Sequence, residues 1–305
     1  MRSWTRSSKG SSEMAPAHRA SAIAVDRLGP QDLIETFAFL DQDPILNVYL
    51  VALTMRDALG RPRDETWGAR RDGRMVGLLH LGGRSGAMLP VGEDAEAMRL
   101  LGDQARLRLP MLPRRFQLVG SRAAVDPFLS VFARTGLRPR LARAQVYMDL
   151  IRAALPAFER LPELTPAGAA DLPVVYESGA LLRAEELDED PRTADPEGYR
   201  QRVAEECRDG HTFLWRGPKG LLFRASVSAI TADAAQVSGV YTPREHRNQG
   251  VARRGLAELC TRLFERTRSV CLFVNDRNVH ALALYRRLGF RPRAAWRSLF
   301  YDLGA

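Results

Sequence analysis

The chain has 305 residues, 45% hydrophobic and 27% charged, with a formal net charge of +9. That length exceeds one ordinary core and suits two domains of about 150 residues each; no apolar run approaches the ~20 residues a membrane helix needs. The positive balance invites a nucleic-acid reading, but Lys9 and Lys219 are the only lysines, residues 151–200 are net acidic and residues 251–305 net basic. An arginine bias with opposite poles suits an anion at one end and a cation at the other better than a uniform RNA-binding face.

Residues 1–22 are rich in Ser and Arg without the apolar middle of a secretory signal, so a disordered leader is expected, with a transit peptide as the alternative. The first half then predicts a helix over 31–39, a strand around 67–70, a turn at Asp72-Gly73-Arg74 and a strand over 75–81. A helix over 95–107, a strand over 116–119 and a helix over 126–135 follow. The second half predicts a largely helical 166–187, a charged, proline-broken loop and a helix over 197–208 stopped by Gly210. Strands follow over 211–216, 221–230 and 235–241, the first two joined by a turn at 217–220. A helix over 251–265, a strand over 270–274, a helix over 278–288 and a last strand complete the chain. Cys207, Cys260 and Cys271 form no CxxC pair and no metal-spaced cluster, which suggests free thiols in a reducing cytoplasm and no metal.

Two segments repeat. GLRPRLARAQVYMDL (136–150) and GFRPRAAWRSLFYDL (289–303) align without a gap at an offset of 153 and match at 7 of 15 positions. Each follows an amphipathic helix, each opens on a glycine where a helix end needs a left-handed residue, and each continues as a strand that would close its half. A tandem duplication follows, with a first domain at 23–155 and a second at 156–305.

Between strand 235–241 and the next helix lies HRNQGVARRG, 246–255. A glycine-containing turn into a helix aims several unpaired N–H groups at one point, and the helix dipole favours an anion there. Gly250 lets an oxygen approach the backbone, Ala252 stays small, Asn248 tolerates a left-handed turn, and Arg247 and Arg253 add charge. A diphosphate fits; a plain turn into a basic helix is the alternative. The loop is neither a P-loop nor a GxGxxG fingerprint.

These residues resemble the GCN5-related N-acetyltransferase (GNAT) superfamily. Its [RQ]-x-x-G-x-[GA] motif is matched by Arg247, Asn248, Gln249, Gly250, Val251 and Ala252, although Asn248 departs from the glycine commonest there. Val240 to Pro243 resembles the family's approach to that loop. Asn278, Ala281, Tyr285, Gly289 and Phe290 match N-x-x-A-x-x-x-Y-x-x-x-G-F. The resemblance spans roughly 156–303, and the whole layout is similar to tandem GNAT acetyltransferases of actinobacterial type with a degenerate first half. It implies an α/β (α+β) chain of two tandem GNAT-like domains, each a mixed, mostly antiparallel sheet flanked by helices.

The resemblance also implies acetyl-CoA as co-substrate and a primary amine as acceptor, a small molecule or a protein amine. The loop from Arg247 through Arg253 would hold the diphosphate. The backbone from Ser238 through Thr242 would meet the pantetheine amides, and an N–H at Val240 or Tyr241 an oxyanion. Asn278 is either a helix cap or a cofactor contact. Tyr285 is the expected acid toward the departing thiolate, with a packed tyrosine as the alternative. Glu205, Glu206, His211 and Glu177 are candidate bases, each also readable as a surface residue, with a water chain as the alternative. The acidic run 185–190 either attracts a cationic amine or is a solvated loop. The first half lacks the loop motif, offers Glu93, Asp94 and Glu96 where phosphate would sit, and has Phe132 in place of Tyr285, so no coenzyme A site is expected there. Two other readings compete: an aminoacyl-tRNA-dependent aminoacyltransferase of tandem-GNAT type, and a non-catalytic acyl-CoA-binding module.

Overall fold

The structure, a computed structural model, describes residues 22–304; the expected leader falls outside them but for Ala22. The first half runs β1 (Ile23–Leu28), α1 (Leu33–Leu40), α2 (Val48–Asp57), β2 (Asp64–Arg71), β3 (Arg74–Gly82), β4 (Ala87–Val91), α3 (Ala95–Arg108), β5 (Arg115–Ser121), α4 (Arg122–Arg134) and β6 (Leu141–Ile151). The second runs β7 (Thr165–Pro166), α5 (Leu172–Leu187), α6 (Pro191–Ala194), α7 (Pro196–Arg208), β8 (Thr212–Gly217), β9 (Gly220–Ile230), β10 (Ala234–Tyr241), α8 (Val251–Leu263), β11 (Ser269–Asn275), α9 (Val279–Arg287) and β12 (Arg291–Asp302). Apart from the one-turn α6, the halves share one order of elements. No helix among the described residues is long and apolar enough to cross a membrane.

The strands form one sheet in the order β1-β2-β3-β4-β5-β12-β6-β11-β10-β9-β8-β7. Each half is antiparallel except for one parallel pair, β4 with β5 and β10 with β11. The closing strands do not close their own halves. β6 pairs with β11, and β12 pairs with β5, each antiparallel, while β6 and β12 pair with each other. The central pair Ala144↔Arg297 is separated by the repeat offset of 153, so the duplicated segments meet about a local two-fold axis. Beside it Ser298 donates 2.6 Å to its own repeat equivalent, Gln145. Gly136 and Gly289 take φ of +75° and +93°, the left-handed residues that end α4 and α9.

Alternation along the strands decides which helices they meet. Phe223, Ala225 and Val227 of β9 and Val270, Leu272 and Val274 of β11 share a core with Leu256, Leu259 and Cys260 of α8 and Leu282 and Tyr285 of α9. The opposite face meets α5 and α7 through Leu214, Val175 and Val203. Further along, it packs on Val48 of α2 from the first half, against Ala229, Ala234 and Cys271. The Tyr147 hydroxyl on β6 donates 2.7 Å to the Ile45 carbonyl. Arg160, ahead of β7, and Arg262 of α8 clasp the buried Glu258 carboxylate of α8, each at 2.8 Å. The three cysteines are free and buried.

Several elements differ from expectation. β1, α2 and β4 were not foreseen. α4 begins at Arg122, not at 126, because Ser121 caps it by accepting from the Ala124 N–H; Pro127 lies inside the helix. The stretch from Pro166 is helical only from Leu172, after Thr165 and Pro166 have paired with β8.

Candidate active site

The site begins where two strands part. β10 and β11 pair in parallel only from Ala234 to Gln236, against Ser269 to Cys271. Beyond that β11 stays with β6, while β10 bends through irregularities between Gln236 and Val237 and between Ser238 and Tyr241, with Gly239 at φ +60°. The ladder between β10 and β11 therefore stops before Ser238, Val240, Tyr241 and Thr242.

The glycine loop follows directly. After a 3₁₀ turn at Arg244–His246, Asn248 takes φ +62° and Gly250 φ +79° as the N-cap of α8. No side chain caps α8 and no acid lies in its first turn. The N–H groups from Val251 through Arg253 therefore have no side-chain acceptor, and the positive end of the dipole faces open space. A Cβ placed on Gly250 would meet nothing within 4 Å. The Arg247 Nε donates 3.0 Å to the Thr242 carbonyl, and its guanidinium lies 5.8 Å from the Tyr241 ring centroid. Gln249 Nε2 donates 2.8 Å to the Glu245 carbonyl. The Thr242 hydroxyl is buried without a partner. An orphaned donor, an uncapped helix start and a free strand edge together fit a bound anion with a polar tail.

The matching place in the first half is closed. Asp94 caps α3, its carboxylate accepting 3.0 Å bonds from Glu96 N–H and Ala97 N–H, and Arg71 pairs with it at 2.9 Å. A Cβ on Gly92 would lie 2.8 Å from the Val76 carbonyl oxygen. Phe132, where the second half has Tyr285, packs edge-on against Tyr301 and Phe128.

Tyr285 lies on α9, 8% exposed, edge-on to Phe290 with ring centroids 5.8 Å apart. Burial, with the Glu186 and Cys260 groups nearby, pushes its phenol above the ordinary value. Asn278 Oδ1 accepts 3.1 Å from the Ala281 N–H, which is the cap geometry.

Of the candidate bases, Glu177 is bonded by Arg192, 2.6 Å away. Glu206 accepts from Thr212 Oγ1 at 3.3 Å and faces Arg224 at 3.7 Å. Glu205 and His211 are exposed. Four of the five acids in the run 185–190 are tied to arginines. Glu185 pairs with Arg244 and Arg247, Asp188 with Arg143, Glu189 with Arg115 and Arg140, and Asp190 with Arg192. The Arg143 Nη2 also donates 3.0 Å to the Glu186 carbonyl. Three of these arginines belong to the first half. The sequence reading singled out the run 185–190, but no local pattern marks such long-range partners, and it missed these arginines.

The acetyltransferase (GNAT) family model matches residues 182–290. Among solved structures, the chain is similar to a GCN5-related N-acetyltransferase from Sphaerobacter thermophilus, with TM-score 0.58 and 17% identity over 92% of this chain and 96% of that one. It is similar to a tandem GNAT protein from the clavulanic acid biosynthesis pathway, with TM-score 0.54 and 18% identity over 93% and 99%. A Drosophila protein gives TM-score 0.63 and 11% identity over 92% and 99%. No curated protein matches the sequence. Residues 182–290 thus match the acetyltransferase (GNAT) family, in a chain whose fold over nearly its whole length is similar to that of GNAT proteins, a tandem one among them.

Proposed function

We propose that the second half transfers an acetyl group from acetyl-CoA to a primary amine by direct attack, and that the first half binds no coenzyme A. The observation that carries this reading is the uncapped start of α8 at Gly250, beside the split between β10 and β11. The N–H groups from Gln249 through Arg253, with the charge of Arg247, would hold the diphosphate. The free edge from Ser238 through Thr242 would take the amides of the pantetheine arm, and a Val240 or Tyr241 N–H would stabilise the carbonyl oxygen as it gains charge. Asn278 closes the start of α9 beside that arm.

Tyr285 would serve the departing sulfur. A thiol ionises near ~8.5, well below a buried phenol, so the hydroxyl stays protonated and donates a hydrogen bond as the C–S bond breaks. The first half supports the reading by contrast, since Asp94 already occupies the start of α3. The test is titration with acetyl-CoA followed by thiol release in the presence of an amine panel. Binding and release support transfer. Binding without release from any amine points to a binding module, and binding of aminoacyl-tRNA instead of acetyl-CoA points to a different donor.

A further inference from the structure

Building on the transfer reading above, we propose that Glu186 is the base that takes the proton from the attacking amine. Glu186 lies in the last turn of α5, next to Glu185, whose carboxylate is tied to Arg247 of the glycine loop at 2.8 Å. Its backbone is pinned by the 3.0 Å bond from Arg143 to its carbonyl. Its carboxylate is left over. Glu185, Asp188, Glu189 and Asp190 all have arginine partners, and Glu186 has no ion pair among the described residues.

The charged groups around it come from three elements. Arg183 and Glu185 share its helix, Arg143 reaches from β6, and Tyr285 on α9 feels its charge. Glu185 held to Arg247 beyond β10, and the Glu186 carbonyl held to Arg143 of β6, set this end of α5 across the gap where β10 leaves β11, and the Glu186 charge is felt at Tyr285. Glu186 has an open surface, yet desolvation and the Glu185 charge outweigh Arg143 and Arg183 and hold its carboxyl above the usual range. A stronger base than an ordinary carboxylate results. Of the other candidate acids, Glu206 is engaged by Thr212 and Glu177 by Arg192, while Glu205 lies exposed on α7.

The proton balance closes. A primary amine ionises near ~10.4 and is mostly ammonium at neutral pH. The free-base fraction attacks the thioester carbonyl, the C–N bond forms, and Glu186 takes the surplus proton from nitrogen. The C–S bond then breaks with its electron pair on sulfur, which receives a hydrogen bond from Tyr285 and a proton from solvent, while Glu186 returns its own proton to solvent.

The experiment is the pH dependence of kcat/KM with acetyl-CoA and the best amine of a panel, for wild type, Glu186→Gln and Glu186→Asp, with coenzyme A affinity measured in parallel. The wild type should lose activity on the acid side with an apparent pKa above the ordinary carboxylate range. Glu186→Gln should lower kcat about 100-fold and remove that limb, with coenzyme A affinity unchanged, and Glu186→Asp should restore part of the rate and the limb. Wild-type kcat and an unchanged profile in Glu186→Gln would overturn this assignment alone. A wild type that binds coenzyme A yet turns over no amine would overturn the transfer reading and this one with it.

Discussion

Glu185 and Arg247 meet at 2.8 Å, and Arg244 reaches the same carboxylate at 3.0 Å, so the end of α5 is tied to the loop that starts α8. Burial raises the Glu185 pKa, but the hydrogen bonds from Arg247 and Arg244 outweigh it, and the net shift is downward. A depressed folded pKa means that the pair contributes above the unfolded value and is lost as pH falls through the folded one. At neutral pH the carboxylate is charged, and on the transfer reading it would compete with the donor's phosphate for Arg247. Glu185→Gln is therefore predicted to tighten coenzyme A binding by about two- to fivefold, as expected for one partly exposed ion pair. Calorimetric titration of both proteins checks this; weaker binding in the variant would mean that Glu185 orients Arg247 instead of blocking it.

Tyr285→Phe removes one oxygen and leaves the ring packed on Phe290. The predicted outcome is a fall in kcat of roughly 100-fold with coenzyme A affinity held. Steady-state kinetics beside a binding titration separate the two. Unchanged turnover would leave Tyr285 as a packing residue.

Glu258 is 1% exposed and clasped by Arg160 and Arg262. The Arg160 hydrogen bond first, then those from Arg262 and the Leu161 N–H, overcome desolvation and hold its pKa down at about 2. This depressed group stabilises the fold fully above its unfolded pKa near ~4.3 and progressively less as pH falls toward about 2. Glu258→Gln is predicted to cost on the order of 3 kcal/mol at neutral pH and to flatten the loss of stability between those two values. Urea unfolding at a series of pH values measures both effects. An equal acid sensitivity in variant and wild type would assign that loss to other carboxylates.

The sequence carried the local features well, because their causes are local. Asn248 and Gly250 are left-handed where the loop chemistry required it, and Gly136 and Gly289 end their helices. The offset of 153 recurs as the Ala144↔Arg297 pair. What the sequence hid is long-range. Alternation places β6 and β12 in a sheet, but nothing in either strand says which half supplies its neighbours. α2 was missed because its apolar, β-branched run VYLVAL reads as readily as a buried strand, and β4 because Pro90 interrupts its pattern. The run at 185–190 looked solvated because its arginine partners lie up to 74 residues away.

The central claim is that backbone donors at the start of α8 hold the donor's diphosphate, and that only this half does so. Calorimetric titration with coenzyme A, on wild type and Gly250→Val, tests it most directly. One site per chain is predicted, with affinity at least about tenfold weaker in the variant, because a β-branched residue at φ +79° is strained and blocks approach to the backbone. Absence of binding in the wild type, equal affinity in the variant, or crystallographic density for the ligand between β4 and β5 would contradict it.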